Sequence, residues 1–355
     1  MIFRGPHPDV SAPEINVAEF VLGDISAHKS KTAIIQAETK REISYQELSD
    51  SIKQLAAGLQ SNGFKKGDVL AIYSPNLPEY VVVFLAVLKL GGICTTVNPL
   101  YTAQELSKQL VDANAKIIVT VSAFLDKAKT ATQNHKVEEI IVIDNEPGYR
   151  NLTELMKINH ELSEPFMSPK TDLCALPYSS GTTGLPKGVM LTHYNLIMNM
   201  RQTEGMTSHN AICEQDTVLG VLPFFHIYGM VVIMLYTLYR RGTIVCMSRF
   251  DMEDFLTAIE THKVTKAPIV PPIVLGLAKH PAVEQFDLSS LELILSGAAP
   301  LGEGIAMEAA NRVGCNIAQG YGMTEASPVT HVLPITSGAK KLGSSGVPIP
   351  NPEVM

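Results

Sequence analysis

The sequence predicts an α/β fold with a mostly parallel sheet. Along the 355 residues, short apolar segments typical of buried strands alternate with amphipathic segments typical of helices. Hydrophobic residues make up 46% of the chain and charged residues 18%, which is the balance of a globular protein with a large core. The length allows two or more domains or lobes.

The first half of the chain shows the alternation most clearly. Ser44 and Glu47 have the spacing of a capping box, and apolar residues then recur on one helical face until Gly63. The polar stretch 144–172 contains three prolines and predicts a connection. Between these two regions we predict a strand at 68–73, a helix at 78–90, a strand at 94–97, a capped helix at 102–113 and a strand at 116–121.

The second half contains one segment that could span a membrane. Residues 218–239 lack Asp, Glu, Lys and Arg and have the length of a spanning helix. Pro223, His226 and Gly229 interrupt the segment, so we predict instead a strand-like piece followed by a buried helix of about a dozen residues. Further strands are predicted at 173–178, 291–296 and 315–319, and a helix is predicted from Thr192 onward.

Charge and cysteine content exclude some classes of protein. The net charge is −7 and the pI about 5.8, and no block of Lys or Arg is present, so a nucleic-acid partner is not expected. The N-terminus has no apolar stretch of secretory length. The cysteines are odd in number and never form a CxxC pair, which indicates reduced thiols used for packing in an intracellular compartment.

The segment SSGTTGLPKG at 179–188 is the first candidate site. It follows a predicted strand, so its hydroxyl groups, backbone N–H groups and the Lys187 ammonium could surround a polyphosphate. The alternative is a solvated surface loop, because Gly, Ser and Thr are ordinary loop residues. The segment is not a Walker A loop, since Gly188 follows Lys187 where that motif needs a hydroxyl for magnesium.

Two more candidate segments follow predicted strands. In QGYGMTE (319–325), Tyr321 could lie against a flat base, Thr324 could donate to a phosphate and Glu325 could bind magnesium. The alternative is a tight turn with an exposed acid. In SGAAPL (296–301), small residues would let a flat ligand approach the backbone, although small residues are also common in turns.

Several segments in this order resemble the signatures of the adenylate-forming (AMP-binding) superfamily. The similarity is to the large N-terminal domain of its acyl- and aryl-coenzyme A ligases, such as 4-coumarate ligase, in the branch that also contains firefly luciferase. It covers nearly the whole chain. The matching segments are VNPLYT (97–102), YSSGTTGLPKGVMLTH (178–193), LPFFHIYGM (222–230), LSGAAPL (295–301) and QGYGMTE (319–325).

The resemblance implies two stacked, mostly parallel βαβ lobes within an incomplete N-terminal AMP-binding domain at 1–355. It also implies that most of a third β lobe and a C-terminal domain with a catalytic lysine are missing. That domain would be needed for turnover. The implied divisions are one lobe at 62–200 with a phosphate loop at 178–188, a second lobe at 20–61 plus 217–335, and the start of a third lobe at 336–355.

The implied activity is the ATP-dependent conversion of a carboxylic acid to an acyl-adenylate and then to a coenzyme A thioester. ATP, Mg²⁺ and coenzyme A as co-substrate are the implied cofactors, and the partners are these small molecules. The compartment would be cytoplasmic or peroxisomal. A nucleotide-binding remnant without turnover remains an alternative, whereas luciferase-like oxidation has no residue signature here.

The resemblance also assigns roles to residues. His226 would stand at the mouth of the acid pocket, although its sequence context alone suggests a core histidine. With Lys187, Thr324 and Glu325 it makes up the expected catalytic set, in which Thr324 bonds phosphate and Glu325 binds magnesium. The phosphates would contact Ser179, Ser180, Gly181, Thr182, Thr183, Gly184 and Lys187. The rest of the nucleotide would contact Gly297, Ala298, Ala299, Gly320, Tyr321, Gly322 and Thr324. The acid would contact Phe225, His226, Ile227, Tyr228, Gly297, Gly320 and Met323, which could equally be packing residues.

Overall fold

The computed structural model describes residues 3–133, 137–179, 186–206, 211–335 and 341–354. Most of the strands in these ranges are short. They are β1 (Phe3–Arg4), β2 (Thr32–Gln36), β3 (Arg41–Ser44), β4 (Val69–Tyr73), β5 (Ile93–Thr96), β6 (Ala115–Thr120), β7 (Glu139–Val142), β8 (Arg150–Asn151), β9 (Leu173–Ser179), β10 (Lys187–Gly188), β11 (Leu191–Thr192), β12 (Thr217–Gly220), β13 (Thr243–Cys246), β14 (Lys266–Ile269), β15 (Leu293–Ser296), β16 (Asn316–Gly322), β17 (Val329–Val332), β18 (Val347–Pro348) and β19 (Glu353–Val354).

Helices connect most of the parallel strands. They are α1 (Val17–Leu22), α2 (Tyr45–Ser61), α3 (Pro78–Lys89), α4 (Ala103–Asp112), α5 (Leu125–Thr132), α6 (Leu152–Met156), α7 (His193–Glu204), α8 (Tyr236–Tyr239), α9 (Met252–His262), α10 (Pro271–Lys279) and α11 (Glu303–Val313). A π-helix at Tyr228–Leu235 runs directly into α8.

Two sheets organise the chain. The eight-stranded sheet has the order β10-β9-β5-β4-β6-β7-β8, and β11 also pairs with β9; its strands from β9 to β8 are parallel. The nine-stranded sheet has the order β18-β17-β16-β15-β14-β12-β13-β2-β3 and is parallel from β16 to β2. Each parallel step needs a crossover, which the intervening helices supply. The predicted α/β fold with mostly parallel sheets is confirmed.

Local sequence signals explain where the helices begin. Ser44 caps α2 with Glu47, and Thr102 caps α4 with Glu105, each as a complete capping box. Each strand and helix predicted between residues 68 and 121 lies within one residue of the observed bounds. The stretch 144–172 was predicted to be a connection, and the structure adds two short elements to it. It contains β8 and the short helix α6, which is too brief to show helical periodicity in the sequence.

The apolar segment 218–239 is not one continuous helix. It contains the end of β12, an irregular stretch around Pro223, and then the π-helix and α8. Across the part of the chain that the structure describes, no helix is both long and apolar enough to cross a membrane. The segment is instead core: from Met230 to Leu235 every side chain is buried.

The sheets can be compared with the expected lobes. The eight-stranded sheet takes its strands from residues 69–192, and the nine-stranded sheet takes its strands from 32–44 and 217–348. Strand β18 extends the nine-stranded sheet, whereas β19 pairs with β1. The lobe boundaries themselves stay predictions. All five cysteines are free; Cys94, Cys174 and Cys246 are buried, and Cys213 and Cys315 are half-buried.

Candidate active site

A cleft opens at the carboxyl ends of β15 and β16 in the nine-stranded sheet. Its empty volume is about 940 Å³ when the open mouth is included. Residues after β15, residues at the end of β16 and the start of the π-helix form its walls. The carboxyl edge of a parallel sheet is where α/β proteins bind ligands, because strand-to-helix loops open there.

One hydrogen bond joins the two sheets beside this cleft. The hydroxyl of Ser179, the last residue of β9, donates to Oε1 of Glu325 over 3.1 Å. Glu325 is exposed and lies in the short 3₁₀ turn that follows β16. Residues that are 146 positions apart in sequence therefore meet across a single crevice.

Lys187 lies on the same edge as Ser179. The antiparallel pairing of β9 with β10 sets Lys187 directly opposite Ser179 and Gly188 opposite Tyr178. The Lys187 side chain is exposed. Five of the residues assigned to the phosphates, Ser180, Gly181, Thr182, Thr183 and Gly184, lie outside the described residues.

His226 stands on the wall of the cleft. The residue is exposed, so the alternative of a core histidine is wrong. Its Nδ1 accepts the backbone N–H of Tyr228 over 3.3 Å; in a neutral ring the proton therefore sits on Nε2, which can donate. The protein atoms around the ring still desolvate it in part, and this lowers the pKa of His226. The imidazole is thus a neutral donor near pH 7.

Gly297 and Tyr228 lie side by side in the wall of the cleft. The Tyr228 hydroxyl donates to the carbonyl of Leu295 over 2.8 Å, which fixes the ring beside Gly297. A Cβ at Gly297 would lie 2.9 Å from a carbon of that ring, so only glycine fits without a shift. The next residue, Ala298, adopts a positive φ of 68° that is uncommon for a residue with a side chain.

Gln319 attaches the loop after β15 to β16. Its side-chain amide donates to the carbonyl of Leu301 over 2.9 Å and accepts the N–H of Leu301 over 3.1 Å. Beyond Gln319, Tyr321 leaves half of its surface exposed at the cleft, and its ring centre lies 6.1 Å from that of His331. Thr324, by contrast, is buried at the base of the turn that carries Glu325.

Most of the predicted residues that the structure describes lie around this cleft. The cleft wall includes His226, Ile227, Tyr228, Gly297, Ala298, Gly320, Tyr321, Gly322, Met323 and Thr324. Ser179, Lys187 and Glu325 lie at the crevice between the sheets, whereas Ala299 is exposed and does not line the cleft. Phe225 is also absent from the wall, and its carbonyl accepts a hydrogen bond from Thr96.

Sequence reasoning missed a group of lining residues. They are Thr203, Met206, Ala211, Val232, Leu295, Pro328, Val329 and Val332. Thr203 and Met206 come from the end of α7 and just beyond it, far in sequence from the motifs. Their only sequence signal was an ordinary helical pattern, which does not reveal which face meets a cleft.

Comparison with known proteins identifies the class. The model of the AMP-binding enzyme family matches residues 24–355. The chain therefore belongs to the AMP-binding enzyme family, and the resemblance seen in the motifs is confirmed.

Two similar proteins are named as 4-coumarate–CoA ligases. The chain is 40% identical over 334 residues to 4-coumarate–CoA ligase 2 of Nicotiana tabacum. That alignment covers 93% of this chain and 61% of the tobacco protein. It is 36% identical to a probable 4-coumarate–CoA ligase 1 of Dictyostelium discoideum in an alignment of 369 residues. That alignment covers 98% of this chain and 66% of the Dictyostelium protein. The chain thus spans about three-fifths of the length of the tobacco relative.

Solved structures share the fold of this chain. A long-chain-fatty-acid-CoA ligase of Archaeoglobus fulgidus superposes with a TM-score of 0.89 at 28% identity, covering 98% of this chain and 72% of that one. A luciferase of Phrixothrix hirtus has a TM-score of 0.84 at 27% identity, covering 93% and 65%.

Proposed function

We propose that this chain is the main nucleotide- and acid-binding portion of an ATP-dependent acyl- or aryl-coenzyme A ligase. The reaction would join a carboxylate to the α-phosphate of ATP with release of pyrophosphate, and then pass the acyl group to the thiol of coenzyme A. The observation that carries this proposal is the Ser179–Glu325 hydrogen bond of 3.1 Å, which brings the end of the hydroxyl-rich segment to an acidic side chain beside an uncharged cleft.

Electrostatics explains why such a site suits this chemistry. A carboxylate is a poor electrophile and repels the triphosphate that it must attack, so a catalyst has to align the two groups and neutralise charge. Lys187, opposite Ser179 on the crevice edge, would supply positive charge to the phosphates. The N–H and hydroxyl groups of the segment that follows Ser179 would add donors.

Glu325 fits a magnesium ion that arrives with a nucleotide. Among the described residues no group of three or more His, Cys, Asp or Glu side chains could hold a metal ion by itself. Mg²⁺ commonly binds through one or two carboxylates together with substrate phosphates and water, and an exposed single carboxylate suits this mode. Bound there, the ion would neutralise charge on the phosphate oxygens. Glu325 would exchange its bond to Ser179 for this role.

His226 would act on the reacting groups as a neutral donor. Its Nε2–H can bond an oxygen that gains negative charge, while the bond between Nδ1 and the N–H of Tyr228 keeps the ring oriented. Tyr321 offers an exposed aromatic face for a base, and Gly297 lets a flat group lie against the backbone. The side chains on the inner wall, such as Met206 and Val332, are apolar, which supports an acyl or aryl acid.

The test is acid-dependent exchange of labelled pyrophosphate into ATP. Relatives named for 4-coumarate and for long-chain fatty acids indicate both acid classes, so the panel should contain cinnamic, benzoic, medium-chain and long-chain acids. We expect exchange with at least one acid, weak for this chain and strong for a protein that also carries the C-terminal domain. The alternative, a nucleotide-binding protein without turnover, predicts measurable ATP binding and no exchange with any acid. Absence of ATP binding would contradict both.

A further inference from the structure

The segment that carries His226 is held by side chains from the other sheet. It runs from the end of β12 at Gly220 to His226 and is irregular, so its shape is not set by strand or helix hydrogen bonds. Two residues at the carboxyl edge of the eight-stranded sheet bond its backbone. They are Asn76, which follows β4, and Thr96, the last residue of β5.

Asn76 makes three hydrogen bonds to this segment and is only 5% exposed. Its Nδ2 donates to the carbonyl of Gly220 over 3.1 Å and to the carbonyl of Leu222 over 2.9 Å, and its Oδ1 accepts the N–H of Phe224 over 2.7 Å. The segment presents two carbonyl acceptors and then one N–H donor, and an amide side chain can satisfy both kinds. Buried backbone groups that lose such a partner are costly, so these bonds restrict the path of the segment strongly.

Thr96 bonds the residue next to His226. Its hydroxyl, on a side chain that is 2% exposed overall, donates to the carbonyl of Phe225 over 2.7 Å. The N–H of His226 in turn donates to the carbonyl of Pro223 over 3.1 Å, which closes a turn. Gly229 packs against this turn so tightly that a Cβ there would lie 2.1 Å from the Pro223 oxygen. The backbone on both sides of His226 is therefore held by residues that do not line the cleft.

We propose that Asn76 and Thr96 are positioning residues. They hold the segment from Gly220 to His226 so that the His226 ring keeps one orientation and presents Nε2–H to the cleft. Neither residue lines the cleft, so they would act through His226 and not on a ligand. The catalytic consequence rests on the proposed function, whereas the orientation of the ring does not.

Thr96→Val tests this, with Thr95→Val as the matched control. Both residues lie in β5 and both are buried, but the Thr95 hydroxyl donates to Leu176 over 3.0 Å and accepts from Gln109 over 2.8 Å, away from the His226 segment. The first readout is the neutral ring tautomer of His226, measured by NMR on protein with labelled histidine at a pH above the histidine pKa. The His226 resonance is assigned from its loss in His226→Asn.

We expect a single Nε2–H tautomer in the wild type and in Thr95→Val, and a mixture in Thr96→Val. The second readout is pyrophosphate exchange. Here kcat should fall about 10-fold or more in Thr96→Val, because displacements near 1 Å reduce rates by up to about 100-fold. The KM for ATP should stay within about twofold, and Thr95→Val should resemble the wild type. Asn76→Ala should show the same changes more strongly.

An unchanged tautomer and an unchanged kcat in a folded Thr96→Val protein would overturn the proposal. Equal changes in both threonine variants would also overturn it, because they would indicate a general packing effect. If the Asn76→Ala protein does not fold, the comparison of Thr96→Val with Thr95→Val still tests the proposal. If the wild type shows no exchange with any acid, the proposed function fails, but the tautomer measurement still decides whether these residues orient the ring.

Discussion

Asp216 and Lys266 form a buried ion pair whose removal should destabilise the fold strongly. The two side chains lie at the amino edge of the nine-stranded sheet, with Nζ and Oδ2 2.7 Å apart and exposures of 5% for Asp216 and 8% for Lys266. Asp216 also accepts the N–H of Cys213 over 2.7 Å and the hydroxyl of Thr265 over 2.8 Å. Burial alone would raise the pKa of Asp216, but the bonds from Lys266 and Cys213 hold it below its ordinary value.

Asp216→Asn removes the charge and keeps the shape. The Lys266 ammonium is then buried without an opposite charge and keeps its bond to the carbonyl of Ala211, 2.5 Å away. Breaking a buried pair in this way typically costs about 3–5 kcal/mol, and we expect a loss in that range for the free energy of unfolding. The assay is urea denaturation followed by circular dichroism at pH 7.

An exposed pair provides the control. Lys279 and Glu308 are as close, at 2.6 Å, but their side chains are 58% and 42% exposed. Glu308→Gln should therefore cost less than about 1 kcal/mol. If Asp216→Asn proves no more destabilising than Glu308→Gln, the reasoning from burial is refuted.

Three further changes test the site and its surroundings. Glu325→Gln should weaken binding of Mg²⁺–ATP by about 10-fold, or about 1.4 kcal/mol, and change metal-free ATP binding little, as measured by calorimetry. Burial lowers the pKa of His193 to about 4, so at acidic pH the unfolded chain binds a proton there more readily than the folded protein does. The free energy of unfolding should therefore fall by about 3 kcal/mol between pH 6.5 and pH 4, as measured by urea titration. Gly297→Ala should displace the Tyr228 ring and weaken nucleotide or acid binding, whereas Gly304→Ala, where a Cβ meets nothing within 4 Å, should not.

Each of these has an outcome that would contradict it. Equal weakening of ATP binding with and without metal would remove the magnesium role of Glu325. For His193, the Asn variant should have a flatter pH dependence than the wild type, and an identical slope would assign the effect to other groups. Normal binding by the Gly297→Ala protein would mean that the ring moves aside without consequence.

The sequence by itself predicted the capped helices, most strands of the first half and the class of ligand. The helices α2 and α4 were predictable because a capping box and an apolar stripe both lie within a few residues of each start. The π-helix and the short α6 were not, since neither leaves a distinct period. The motifs indicated which residue types would contact a nucleotide, because hydroxyl groups, glycine backbone N–H groups and a lysine ammonium can bind phosphate in any fold.

Only the tertiary structure decided which of these residues face each other. The bond between Ser179 and Glu325 spans 146 positions, and the bond from Thr96 to Phe225 spans 129. No pattern within a helix or strand encodes such contacts, because they depend on how two sheets pack. The same packing brought Thr203 into the cleft wall and left Ala299 outside it. Sequence periodicity indicates on which face of its own helix or strand each side chain lies. Only the packing of helices and strands against one another determines which residues that face contacts.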